Sequence, residues 1–254
     1  MMSVKRTPGR VVWRELTTDD VEKAKAFYSA LFGWRFVDFP MGEGAPPYPI
    51  AHVGEKSIGG IMKKPEGAPF PPFWLSYVSV EDVDATVARM SELGGSTMMP
   101  PTDVPEVGRL AIVSDFAGAT IGLLKSNGDD PAGGRPQPGE FCWETITSPD
   151  LARAKKVYTS VLGWIETQMP GGSSTVFATG TGMEDGVADL GKAEGFPPMW
   201  VTYVVVETVE AARAKAETLG ATIVVPLIEV PNVGRISFIQ DPTGAHIGLF
   251  QPQF

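Results

Sequence analysis

The feature that most constrains this chain is a duplication. The run from Val12 through Trp13, Glu15, Thr18, Ala24 and Tyr28 to Gly33-Trp34 reads as a short strand, a capped turn and an amphipathic helix. The same order of residue types returns from Trp143 through Tyr158 to Gly163-Trp164, at an offset of 130 (Trp13 to Trp143, Tyr28 to Tyr158). Farther along, Pro71-Pro72-Phe73-Trp74 returns as Pro197-Pro198-Met199-Trp200, and Val107-Gly108-Arg109 as Val233-Gly234-Arg235, at an offset of 126. A fixed-offset repeat sets the architecture before any single element is assigned. The drop in offset places a four-residue shortening in the early hairpins of the second copy.

Each copy holds a smaller unit twice. Val21, Ala24, Tyr28 and Leu31 recur at helical spacing, with Thr18 expected as N-cap, acidic Asp19 and Asp20 in the first turn and Gly33 as a left-handed C-cap. The second copy offers Ser148 as N-cap, Pro149 at the first helical position and the stripe Leu151, Ala154, Tyr158, Val161. Strands are expected at 35–39, 48–53 and 57–63, the last two joined by a Gly54-Glu55 turn. After a Pro/Gly-rich connection come a strand at 73–80, a helix at 82–93 stopped by Gly94-Gly95, and strands at 97–99, 109–114 and 121–125. Residues 12–64 and 73–125 thus have the same order. The reading is an α+β fold of four βαβββ units paired into two domains, 8–125 and 140–254, with curved, cleft-forming mixed sheets. Residues 126–139, rich in Gly and Pro and without large apolar side chains, are the expected linker. The clefts are the default ligand sites.

With that architecture the chain resembles the vicinal-oxygen-chelate superfamily of glyoxalases, extradiol dioxygenases and fosfomycin- and bleomycin-resistance proteins. The run at 17–34 and the strand endings Asp115-Phe-Ala-Gly-Ala-Thr-Ile-Gly-Leu and Asp241-Pro-Thr-Gly-Ala-His-Ile-Gly-Leu carry the resemblance. It covers nearly the whole chain outside the linker and the first residues. It implies two glyoxalase-like domains and, in metal-bearing members, a divalent ion held by His, Gln and Glu. Carried over by position, those ligands fall on Trp13, Leu75 and Gly122, and on Trp143, Val201 and Gly248. None has a side chain that ligates a hard or borderline cation. The expectation is therefore no metal and no other cofactor. Such a fold hosts many chemistries, so function must be argued from the site.

Composition removes other classes. The net charge is −9, and a nucleic-acid backbone needs clustered Lys and Arg. Cys142 is the single cysteine, which precludes an intrachain disulfide and fits a reducing compartment. The N-terminal residues lack an apolar signal core, and no apolar run approaches the roughly 18 residues of a membrane span. The expected setting is cytoplasmic, away from membranes and nucleic acid, as a monomer or homodimer.

Residues two apart on a strand share a face, so Trp13 and Glu15 face one way. A Trp beside a carboxylate suits an aromatic or cationic ligand, or else belongs to a core with an ion-paired Glu. Thr145 replaces Glu15 in the second copy, so the two clefts should differ. Tyr77 and Tyr203 are either acid–base donors or packed core. Arg109 and Arg235 either clamp an anionic group or tie down a loop. His246 shares a face with Gly248 and titrates in the right range for acid–base work, or is a half-exposed strand residue. Gly122 and Gly248 mark close approach and leave room for a bulky substrate. His52, Cys142, Asp115 and Asp241 read as structural, the two Asp because each precedes a Gly-containing turn. Two function classes follow. One is a binder of a small organic molecule, as in the bleomycin-resistance branch. The other is a metal-independent lyase, isomerase or hydroxylase working through Glu15, Tyr77 or His246. The missing ligands stand against a metal-dependent glyoxalase or dioxygenase.

Overall fold

A computed structural model describes residues 4–42, 44, 46–169, 175–192 and 195–253. In chain order the elements are β1 (Val11–Thr18), α1 (Val21–Phe32), β2 (Arg35–Phe39), β3 (Tyr48–Val53), β4 (Lys56–Lys63), β5 (Phe73–Ser79), α2 (Val83–Glu92), β6 (Ser96–Val104), β7 (Gly108–Ser114), β8 (Thr120–Ser126), then β9 (Phe141–Ser148), α3 (Leu151–Leu162), β10 (Ile165–Gln168), β11 (Thr175–Ala178), β12 (Val187–Lys192), β13 (Met199–Val205), α4 (Val209–Thr218), β14 (Thr222–Val230), β15 (Gly234–Gln240) and β16 (His246–Pro252). This is the expected α+β order, four times over. The strands form two mixed eight-stranded sheets, ordered β2-β3-β4-β1-β5-β8-β7-β6 and β10-β11-β12-β9-β13-β16-β15-β14. Each sheet comes from one copy of the duplication.

The helix starts lie two residues beyond the expected caps. Asp20 caps α1 by accepting from the Lys23 amide, and Asp150 caps α3 by accepting from the Arg153 amide. Thr18 and Ser148 instead accept from the amides of Asp20 and Asp150, steering the chain into the cap. Pro149 therefore precedes the cap rather than opening the helix. At the other end Gly33 and Gly163 take the left-handed conformation, φ 75° and 69°. Strand β6 runs on to Val104 through Pro100 and Pro101, which had suggested an early stop. It is an edge strand whose pairing with β7 slips twice, and an edge with bulges tolerates missing N–H donors.

The packed cores do not follow the sequence copies. One compact unit comprises residues 1–13, 75–135 and 143–201, and the other 14–74, 136–142 and 202–254. In the second unit, Leu16 and Ile61 of the sheet pack with Ala24, Phe27 and Tyr28 of α1 and with Val204, Ile247 and Leu249. Tyr28 stacks on Trp34 with ring centroids 5.1 Å apart, and the Trp34 indole donates to Gly139 O at 2.8 Å. The Tyr28 hydroxyl donates to Asp241 at 2.6 Å and accepts from the Trp74 indole at 2.9 Å. The first unit repeats the device. Tyr158 stacks on Trp164, donates to Asp115 at 2.9 Å and accepts from the Trp200 indole at 3.0 Å, while Trp164 donates to Gly9 O at 2.7 Å. Asp115 and Asp241 also each gather backbone amides of their own turns on the other carboxyl oxygen. The expected linker is fastened: Asp130 accepts from Thr7 N and Ser79 Oγ, and the Arg10 guanidinium donates to the carbonyls of Pro131 and Ala132.

Candidate functional site

Strand alternation divides each sheet into a helix-packed face and a helix-free face. Leu16, Ile61, Val204, Ile247 and Leu249 lie in one helix-packed core, and Val78, Ile121, Leu123, Ile146 and Ala188 in the other. Their strand neighbours Trp13, Glu15, Tyr77, Gly122, Trp143, Thr145, Asp189, Tyr203, His246 and Gly248 therefore fall on the helix-free faces. This set contains most of the polar and aromatic candidates read from the sequence, and one carboxylate that was not among them, Asp189.

In the first copy, Glu15 of β1 is the register partner of Gly60 on β4. Glu15 is buried, and its Oε2 accepts from the Tyr48 hydroxyl of β3 at 2.8 Å. Gly60 is required by that contact, because a Cβ there would collide with the Tyr48 phenol. The equivalent register pair in the second copy is Thr145 of β9 and Asp189 of β12. Thr145 Oγ1 donates to Asp189 Oδ1 at 2.6 Å, and the Trp143 side chain hydrogen-bonds the same carboxyl. Burial pushes the Asp189 carboxyl above its ordinary range, against the opposite pull of those two bonds. Each copy thus keeps one carboxylate at this register pair, supplied from opposite strands.

The two inward tyrosines pair with the two strand glycines. Tyr77 is the register partner of Gly122, and Tyr203 of Gly248. A Cβ on either glycine would run into the tyrosine ring. The space read as room for a bulky substrate is filled by a side chain of the same sheet. Tyr203 also meets Phe238, with ring centroids 5.2 Å apart. His246 opens β16 opposite Gln240 and is half-buried. Burial lowers its pKa, with Asp241 acting the other way, so it is mostly neutral at pH 7. Its charged neighbour is Asp241 and that of Glu15 is the Tyr48 phenol, so these two candidates occupy separate surroundings.

The anion-clamp reading of the arginines gives way to a structural one. Arg109 makes a bidentate pair with Asp84 of α2 and a second pair with Asp103 of β6. Those hydrogen bonds raise the guanidinium pKa further and lower that of Asp84. Arg235 does the same with Glu210 of α4 and Glu229 of β14. Both fasten a helix to its own sheet. Cys142 Sγ lies 3.5 Å from Tyr203 O, and His52 bonds Ile50 O and Ser57 Oγ within its hairpin.

The model of the Glyoxalase/Bleomycin resistance protein/Dioxygenase superfamily matches residues 9–123 and again 143–249. The chain belongs to this superfamily. Among its superfamily relatives, "Putative glyoxylase CFP32" of Mycobacterium tuberculosis is 33% identical over 94% of both chains. The "Anthracycline biosynthesis protein DnrV" of Streptomyces peucetius is 27% identical over 96% of this chain and 94% of its own. The Mn(II)-bound glyoxalase from Novosphingobium aromaticivorans superposes with a TM-score of 0.62 at 15% identity, covering 96% of this chain and 82% of that one. The 2,3-dioxygenase LapB from Pseudomonas sp. KL28 gives 0.59 at 15% identity, over 100% and 94%. These superpositions speak for the glyoxalase-type fold alone. Two members of the helix-free set escaped the sequence reading. Asp189 carried a signal, a lone carboxylate at alternating phase in the apolar run Val187-Ala188-Asp189-Leu190. Tyr48 carried none, because its partner lies 33 residues away. Among the described residues no helix is long and apolar enough to cross a membrane.

Proposed function

We infer that the protein binds a small organic molecule on the helix-free face of its first-copy sheet, with Glu15 as the anchoring group and without the superfamily's divalent ion. The observation that carries this is the buried Glu15 carboxylate held by the Tyr48 phenol. A carboxylate in a weakly solvated place seeks a hydrogen-bond donor or a cation. A ligand with a hydroxyl or ammonium group supplies one. Metal chemistry is poorly supported by the donors: among the described residues no three His, Cys, Asp or Glu side chains converge. The positions carried over from metal-bearing members are Trp, Leu, Gly, Trp, Val and Gly, and a divalent ion needs several donors at about 2 Å. The name of the Streptomyces relative makes a planar, hydroxylated aromatic compound the first ligand class to try.

A second reading, a metal-independent lyase, isomerase or hydroxylase, draws on the same pair, because a phenol bonded to a carboxylate is poised to pass a proton. The experiment is a fluorescence titration with the anthracycline doxorubicin, run on the wild type, Glu15→Gln and Tyr48→Phe, with elemental analysis of the purified protein. A binder loses about tenfold in affinity in Glu15→Gln, the equivalent of one hydrogen bond to a charged group. An enzyme keeps the ligand bound in that variant and loses turnover. A stoichiometric metal, or equal binding by all three proteins, overturns the reading.

A further inference from the structure

The second copy carries a polar cluster that the first-copy reading does not use. Asp189 lies beside Thr145 and Trp143 on the helix-free face, with all three on the adjacent strands β9 and β12. Gly191, two residues on, accommodates the Thr145 methyl, since a Cβ there would fall 3.3 Å from it. Such packing fixes the hydroxyl that donates to Asp189. No Lys or Arg among the described residues pairs with Asp189. Its partners are neutral: the Thr145 hydroxyl at 2.6 Å and the Trp143 side chain. Asp189 and Trp143 both retain solvent contact, in a sheet whose neighbouring Glu144, Ile146 and Ala188 are sealed. The first copy has a Gly at this point, filled by a Tyr ring; the second has a carboxyl facing outward.

We propose that Trp143, Thr145 and Asp189 form a second ligand site, in which the Asp189 carboxyl donates a hydrogen bond to the carbonyl oxygen of an uncharged aromatic ketone or quinone lying against Trp143. A carboxyl with neutral donors on one side and no cation holds its proton more readily than a solvated one, and burial acts in that direction here. With the Thr145 and Trp143 donors already directed at the carboxyl, its own O–H is the group left to donate. The natural acceptor is an oxygen brought by a ligand. The exposed part of the Trp143 ring supplies the apolar contact such a molecule needs. This site goes beyond the Glu15 reading and does not depend on it. It also makes the two copies complementary: an acceptor at Glu15 for donor-bearing groups, and a donor at Asp189 for carbonyls.

The test is ligand-observed NMR titration with two probes, 1-indanone and indane, which differ by the carbonyl oxygen. Wild-type protein binds 1-indanone and prefers it to indane by about tenfold, one hydrogen bond's worth. Asp189→Leu removes that preference, and Asp189→Asn, whose amide still donates, stays within about threefold of wild type. Equal binding of the two probes by the wild type, no binding of 1-indanone, or an unchanged preference in Asp189→Leu overturns the proposal. The probe comparison needs only the wild type, so a variant that fails to fold does not block it. Doxorubicin titration of Glu15→Gln stands apart, so failure at one site is read separately from failure at the other.

Discussion

Tyr28→Phe removes one oxygen from a closed core, and its cost can be worked out atom by atom. The Tyr28 side chain is 0% exposed. Its hydroxyl donates to Asp241 Oδ2 at 2.6 Å and accepts from Trp74 Nε1 at 2.9 Å. Asp241 Oδ1 is already engaged by the amides of Thr243, Gly244 and Ala245 and by the Thr243 hydroxyl, so it offers no substitute. Phe at this position leaves Oδ2 and the indole N–H without a partner inside a cluster that includes Trp34 and Phe141. A lost bond to a carboxylate costs about 1.5–3 kcal/mol, and an orphaned buried donor about 1–3 kcal/mol. Allowing for partial relaxation, we expect about 3 kcal/mol, which for a chain of this size lowers Tm by about 6–12 °C. The assay is thermal unfolding followed by circular dichroism. Trp74→Phe in the same background should then cost less than it does alone, by about 1 kcal/mol or more, because the orphaned donor is already gone. A Tyr28→Phe penalty below about 1 kcal/mol, or strict additivity with Trp74→Phe, refutes the argument that the hydroxyl is the keystone.

Two further outcomes follow from the same structure. Burial, reinforced by the neighbouring Asp, raises the pKa of both Tyr28 and Tyr158 well above 10.0. The folded protein therefore keeps two protons that the unfolded chain releases above pH 10. Stability is complete below that pH and falls as pH rises toward the folded pKa values, with a slope of up to about 2.7 kcal/mol per pH unit. Tyr158→Phe should halve the slope, and phenolate absorbance should show two tyrosines ionising only with unfolding. In the β6–β7 turn, Glu106 holds a left-handed φ of 63° where the second copy has Asn232 at 62°. Glu106→Asn should raise stability by about 0.5–1 kcal/mol, since Asn tolerates that conformation better; a neutral or negative change in urea unfolding contradicts the strain assigned to Glu106.

The duplication made the element order legible, because strand–helix–strand punctuation survives in both copies at fixed offsets. Face assignment was legible too, since alternation follows from the strand period alone. Which core each face joins was not. Tyr28 and Asp241 are separated by 213 positions, and Tyr158 and Asp115 by 43, and nothing local in a run such as Asp-Pro-Thr-Gly says that a distant phenol will close on it. The helix caps were missed by two residues because Thr18 and Asp20 are both good caps, and the choice between them is made by how the strand ends. The arginines were ambiguous for a related reason. Val-Gly-Arg marks a strand start, but Asp84 and Glu210, which claim the guanidiniums, sit on the preceding helices.

The two copies show where freedom remains in such a fold. The Tyr–Trp–Asp network is the same in both, down to the indole that caps a backbone carbonyl, because each atom of it is sealed and has one partner geometry available. The Tyr77–Gly122 and Tyr203–Gly248 pairs are likewise duplicated, since neither member can change without the other. Divergence is concentrated at one register pair, Glu15–Gly60 against Thr145–Asp189. Moving the carboxyl from one strand to its neighbour shifts it by about the 4.8 Å strand spacing while keeping it on the same face. It also trades a phenol partner for a hydroxyl and an indole. That exchange alters both the position and the proton affinity of the one acidic group on the face, and leaves the packed side of the sheet untouched. Specificity can therefore change at this pair at little cost to stability, which makes it the place where the two copies would come to hold different ligands.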